Sequence, residues 1–194
     1  MKLAGMTVLA FCAMAQISEA ALVGTELLFE KIYQETSTSP VIAITSLKTV
    51  TVKEPGIEIP SVKALEVSNP IGLPVVDLSI NAGNNFIEMD FDNTAGLIGY
   101  APGYRSSYIF TFDSIVRPSI SAAFIDRSVT TLGLSDSDVT FAGNKLEVNV
   151  EGLPFNTSTF ARINMGLTPV PLPAAVWLFA SGLVGLAAMM RRKS

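Results

Sequence analysis

The chain has no histidine, one cysteine (Cys12) and one tryptophan (Trp177) in 194 residues. Each shortage removes a class of chemistry. Without a second cysteine no intrachain disulfide can form, so the fold must be held by its core alone. Without histidine the usual zinc, copper and haem ligand sets are missing, as are Ser-His-Asp and Cys-His catalysis. The lone tryptophan stands in an apolar stretch near the C-terminal end, which leaves the rest of the chain without an indole platform for sugars.

Cations are scarce as well. Between residues 21 and 169, nine Lys and Arg face sixteen Asp and Glu, a formal charge of −7. Phosphate recognition needs clustered Lys or Arg, so nucleic acid and anionic lipid are not expected partners. A charge of this size is also what keeps a small domain soluble, so it names no partner by itself. The length suits one domain with a sizeable core rather than two. The hydrophobic share is 49%, and much of the excess lies at the two ends.

Residues 1–20 have the three parts of a secretory signal peptide. Lys2 gives the positive start, residues 3–15 are apolar, and Ser18-Glu19-Ala20 places small residues at −3 and −1. Cleavage is expected between Ala20 and Ala21, with a cut after Ala15 as the alternative. The Sec translocon and signal peptidase are then partners, and Cys12 leaves with the leader. Phe11 stands where lipidation of Cys12 would require a small residue.

At the other end, residues 174–190 carry no formal charge. At ~1.5 Å per residue this stretch spans about 25 Å as a helix, against a hydrocarbon core of ~30 Å. Val176, Leu178, Phe179, Leu183, Val184 and Leu186 favour insertion by roughly 3 kcal/mol together, and Ser181, Gly182 and Gly185 erode that margin. Arg191, Arg192 and Lys193 follow at once and stay on the cytoplasmic side by the positive-inside rule. The expected topology is an exported body with a single, weakly inserted anchor. The segment is apolar all round, without the polar stripe of a helix packed on a soluble domain.

Just before it stands Val170-Pro171-Leu172-Pro173-Ala174. The two prolines fix φ and push their predecessors toward extended backbone, giving a stiff non-helical segment at the membrane surface. This motif, a short apolar helix and a terminal basic tripeptide together resemble the VPLPA-type variant of the PEP-CTERM sorting signal. Leu172 stands where the better-known form has Glu. The resemblance implies a Gram-negative, exopolysaccharide-secreting host and processing by an exosortase. The protein would then cross the inner membrane, be held briefly by its C-terminal helix, and end on the cell surface or be secreted. Sequence thus predicts a signal peptide (1–20), a body (21–167) and a sorting signal (168–194) with its motif at 170–174, helix at 175–190 and basic tail at 191–193.

The body alternates apolar and polar residues with period two and is rich in Val, Ile, Thr and Phe. Strands are predicted at 41–53, 74–80, 86–91, 108–112, 119–125, 139–142, 145–150 and 160–165. Residues 27–33 are ambiguous between strand and helix. Gly143-Asn144 suits a two-residue I′ or II′ hairpin turn. The expected fold is all-β: a single β-sandwich or jelly-roll-like domain of eight to ten strands, between the signal peptide and the transmembrane helix. Residues 139–165, with Gly152-Leu153-Pro154-Phe155, resemble the last part of VPLPA-tailed surface proteins, which implies fold rather than activity.

Candidate chemistry is sparse. Glu88, Asp90 and Asp92 at i, i+2 and i+4 share one face of a strand, and Asn93 follows. Like charges so placed repel, and Ca²⁺ relieves that; the alternative is a solvent-facing strand. Asp136 and Asp138 form a weaker candidate that also reads as a polar turn. Two carboxylates can serve a glycosidase, but nothing here marks an acid of raised pKa. Tyr100, Tyr104 and Tyr108, among Gly99, Pro102 and Gly103, form either an exposed sugar-contacting loop or a packed one. Asn156-Thr157-Ser158 matches a glycosylation acceptor, a match that in a bacterium is mostly chance. The expectation is a non-enzymatic surface or matrix protein, with no catalytic residues and no cofactor beyond candidate Ca²⁺. A calcium- or exopolysaccharide-binding module is the alternative, and a polysaccharide-acting enzyme using Asp and Glu the third reading.

Overall fold

The computed structural model describes residues 21–113 and 119–168. The predicted signal peptide, the VPLPA motif, the apolar helix and the basic tail lie outside the described residues. Among the described residues no helix is long and apolar enough to cross a membrane.

The described chain is all-β, with ten strands in two antiparallel sheets. Strand β1 (Glu26–Gln34) pairs with β6 (Arg105–Asp113) along its whole length, from Glu26 opposite Asp113 to Gln34 opposite Arg105. Its other edge is shared by two short strands, β2 (Ile42–Ala43) and β3 (Lys48–Thr51). Beyond β6 come β9 (Lys145–Asn149) and β8 (Val139–Ala142). The second sheet runs β4 (Ser79–Ala82), β5 (Phe86–Asp90), β10 (Phe160–Thr168), β7 (Ser119–Ile125).

The strands form where the period-two pattern runs longest, because alternate side chains point to opposite faces. On β1 the inward set is Leu27, Phe29, Lys31 and Tyr33, and it faces Phe112, Phe110, Tyr108 and Ser106 across the ladder. Ile87 and Met89 of β5 and Ala161, Ile163 and Met165 of β10 supply the second sheet's inner face. Apart from Lys31 and Ser106, all belong to one hydrophobic core, giving a sandwich-like arrangement. Fully burying a large apolar side chain contributes about 1.5–3 kcal/mol. A set that includes Phe29, Phe91, Phe110 and Phe112, none with exposed surface, is therefore enough to hold a fold without disulfides.

One bulge keeps the pattern in phase. The β10–β7 register shifts between Gly166 and Leu167, so Ile125, Ala123 and, beyond the shift, Ile120 all fall on the inner face despite their uneven spacing. At this end Ile120 N–H donates to Gly143 O at 2.7 Å and ties the two sheets together. Gly143 opens the two-residue β8–β9 turn with φ of 61°, and among the described residues no non-glycine has positive φ. The turn is therefore of the II′ kind, which needs only its first central residue in that region.

The predicted strands at 119–125 and 139–142 have the bounds expected, and residues 27–33 resolve to strand. Two expectations are corrected. Residues 41–53 are not one strand: the chain leaves the ladder at residues 44–47, where Ile44 N–H bonds Lys31 O and Ser46 N–H bonds Leu65 O. Residues 74–78 are not a strand either, although Val75, Val76 and Leu78 are buried. Their backbone bonds loop residues instead, with Val62 N–H on Leu78 O and Val75 N–H on Glu66 Oε1, and periodicity alone does not separate such a buried stretch from a sheet strand.

Candidate functional site

Lys31 occupies an inward position of β1 and is only 5% exposed. Its backbone is held by the irregular stretch after β2: Lys31 N–H donates to Thr45 Oγ1 at 2.9 Å, and its carbonyl accepts from Ile44 N–H at 2.8 Å. The side chain therefore projects into the core at a fixed place. Its Nζ donates to Ser106 Oγ at 2.9 Å and lies over two tyrosine rings, 4.3 Å from the Tyr108 centroid and 5.0 Å from that of Tyr100.

Tyr108 comes from β6 directly opposite Lys31. Tyr100 comes from the connection between β5 and β6, pinned to the segment after β9: Tyr100 N–H bonds Leu153 O and Phe155 N–H bonds Ile98 O. The Gly152-Leu153-Pro154-Phe155 stretch thus seats Tyr100. The Phe155 and Tyr100 rings lie 4.8 Å apart, and Phe91 packs on both. The two tyrosine hydroxyls are 2.9 Å apart and share a hydrogen bond.

Lys31, Ser106 and Tyr100 border a cavity of about 240 Å³. Its lining combines apolar Ile44, Leu73, Val76 and Leu97 with the polar Lys31, Ser106 and Tyr100. Burial holds the Lys31 amine well below the ordinary lysine pKa, and the Glu147 carboxylate only partly offsets that. Burial pushes both tyrosines up, Tyr100 further through its Tyr108 neighbour, so both remain neutral phenols. Glu147 is not the lysine's partner. It points away from the core toward Arg105, with Arg105 Nη2 on its Oε2, and Arg105 brings it below the usual carboxylate range although burial alone would raise it. An amine in this setting can hold an anion or a carbonyl oxygen, and in its neutral form can act as a nucleophile.

A second polar cluster covers the outer face of the four-stranded sheet. Arg162 of β10 pairs with Glu88 of β5, its Nε 2.8 Å from Oε1, and lies 4.0 Å from Asp126. Its guanidinium stacks 4.9 Å from the Phe86 ring. Asn81 donates to Glu88 Oε2 at 2.7 Å, while its own Oδ1 is buried without a partner. The Ser128 hydroxyl and N–H hold Asp126 below the usual carboxylate range, with Asn164 and Arg162 adding to the effect.

The four metal candidates separate in this frame. Glu88 and Asp90 lie on the outer face of β5, but Glu88 is taken by Arg162 and Asn81. Asp90 Oδ1 accepts the Asp92 N–H at 3.1 Å, and Asn93 Nδ2 donates to Pro60 O at 2.9 Å. The ladder ends at Asp90, so Asp92 and Asn93 belong to a turn rather than to that face. Among the described residues no three His, Cys, Asp or Glu side chains gather as a metal site. Asp136 pairs with Arg127, and Asp138 Oδ2 accepts from Ser135 N–H, as in a polar turn.

Of the three tyrosines only Tyr104 is exposed, at 57%, so they do not form an exposed aromatic loop. Lys31 was missed because a lysine is normally assigned to a solvated face. The signal was in the phase: Leu27, Phe29, Lys31 and Tyr33 alternate, which puts the lysine on the apolar side of any strand formed there. No protein-family model matches the chain, nor does any curated protein or solved structure.

Proposed function

We propose that this chain is an exported, non-enzymatic protein of the cell surface or extracellular matrix, sorted by an exosortase through its C-terminal signal. The observation that carries the reading is the ordered series of Val170-Pro171-Leu172-Pro173-Ala174, an apolar segment at 175–190, and Arg191-Arg192-Lys193. The body is a single β-sandwich spanning 21–167, between signal peptide and transmembrane helix. One residue, Pro169, separates the end of β10 at Thr168 from the motif, so before processing the body stands against the membrane surface. Mass spectrometry of the mature protein tests this: peptides should begin at Ala21, and none should come from residues 176–194. Surface protein that keeps its tail would sink the processing claim and leave a permanent single-pass anchor.

A second reading is an exopolysaccharide-binding module on the outer face of the four-stranded sheet, or a calcium-binding one at the end of that face, where the Asp92 N–H bonds Asp90 Oδ1. On the face itself Glu88, Arg162, Asp126 and Phe86 stand together, and Asn81 Oδ1 is an unused acceptor. Calcium binding predicts a melting temperature that rises with Ca²⁺ and no longer does so after Asp90→Asn with Asp92→Asn. Hydrolysis of the host's own polysaccharide, lost in the same variant, would point instead to an enzyme.

A further inference from the structure

We propose that the Lys31 cavity is a binding site for a small monocarboxylate with a short hydrocarbon tail. The lysine Nζ has three donor positions, and its only hydrogen bond among the described residues goes to Ser106 Oγ. No carboxylate pairs with it there, since Glu147 is engaged by Arg105. A buried cation without a counter-ion is costly, and the faces of Tyr100 and Tyr108 compensate only in part. The space that would receive a counter-ion is not filled by side chains. It is the cavity of about 240 Å³ that Lys31 and Ser106 line.

The lining selects the ligand. The Tyr33 and Tyr100 hydroxyls in the lining are engaged by Pro102 O and Tyr108, so one cation and the Ser106 hydroxyl are left for a single carboxylate, which accepts from Lys31 Nζ and Ser106 Oγ through its two oxygens. A phosphate or sulfate needs more donors than these, and a sugar needs polar partners where Ile44, Leu73, Val76 and Leu97 stand. Those four side chains suit a hydrocarbon tail. At ~30 Å³ per water-sized group the cavity holds about eight such groups, the size of a carboxylate with four to six carbons. Specificity then comes from charge at one end and apolar contact at the other, the usual division in small-molecule sites.

The test is calorimetric titration of the full chain with butyrate and hexanoate, and with hexanol and hexylammonium as neutral and cationic analogues. The expected result is saturable binding of the carboxylates, at least tenfold tighter than hexanol, with no binding of hexylammonium. Lys31→Met should weaken hexanoate at least tenfold while leaving the far-ultraviolet circular dichroism unchanged. Leu97→Trp, which keeps the lysine and fills the cavity from a half-buried wall position, should abolish binding, and it decides the matter if Lys31→Met fails to fold. Equal affinity for hexanol and hexanoate, unaltered hexanoate binding in either variant, or no heat with any carboxylate would overturn the proposal.

Discussion

Lys31 and Tyr108 are direct cross-strand partners in the β1–β6 ladder, and the lysine Nζ stands 4.3 Å from the centre of the tyrosine ring. An ammonium over an aromatic face is favourable, but for a buried lysine it is not equivalent to water or a carboxylate. Lys31→Met should therefore raise the unfolding free energy near neutral pH by about 1–2 kcal/mol, as apolar replacements of buried charges often do. Urea unfolding of the two proteins measures it.

The same pair predicts a pH dependence. Burial lowers the folded-state pKa of Lys31, so between that value and the ordinary 10.5 the unfolded chain binds more protons. Stability should rise with pH across that window in the native protein, and Lys31→Met should lack this rise. Tyr100 and Tyr108 act the other way. Their pKa values are raised, so their contribution is complete below 10.0 and is lost only as pH climbs through their folded values. Unfolding measured from neutrality to pH 10 isolates the lysine; parallel profiles for the two proteins would refute the assignment.

Arg162 of β10 joins Glu88 of β5 to Asp126, the residue just past β7. Arg162→Met leaves Glu88, whose side chain is only 14% exposed, with Asn81 as its remaining partner. The expected loss is about 1–3 kcal/mol, the cost of leaving a half-buried charge poorly paired. A double-mutant cycle with Glu88→Gln should show coupling; additive effects would mean the pair is only a surface contact.

Phe155 seats Tyr100 through ring contact at 4.8 Å. Phe155→Ala should cost about 3–5 kcal/mol, as for other buried phenylalanines. It should also change the near-ultraviolet signal of the tyrosines, because the cluster of Phe91, Tyr100 and Tyr108 loses its packing partner. A loss under 1 kcal/mol would show that the neighbours collapse into the gap.

At the β8–β9 hairpin, Gly143 holds φ of 61°, and nothing lies within 4 Å of the place its Cβ would take. The cost of Gly143→Ala is therefore backbone strain alone, about 1–2 kcal/mol. Ala142→Ser, beside it on an exposed ladder position, should be neutral and serves as the control.

Much of the fold was legible before any coordinates. The runs at 119–125, 139–142 and 145–150, and the Gly143-Asn144 turn between the last two, follow from side-chain alternation and turn chemistry, which are properties of adjacent residues. The break at residues 44–47 was not legible, because it depends on Thr45 and Ile44 bonding the backbone of Lys31. The acidic run at Glu88, Asp90 and Asp92 looked like one face, but a strand's face lasts only as long as its ladder, and this one ends at Asp90.

By itself the sequence determined the all-β class and the lack of disulfide and histidine chemistry, since composition and local pattern suffice for each, and the proposed sorting signal from Val170 to Lys193 rests on sequence alone. Tertiary structure decided that Lys31, Tyr100, Tyr108 and Ser106 meet beside a cavity. Ladder register joined β1 to β6 across more than seventy residues, and the segment after β9 fixed Tyr100 in place. Those are long-range pairings, and period-two alternation names a residue's face but not its neighbour on the next strand.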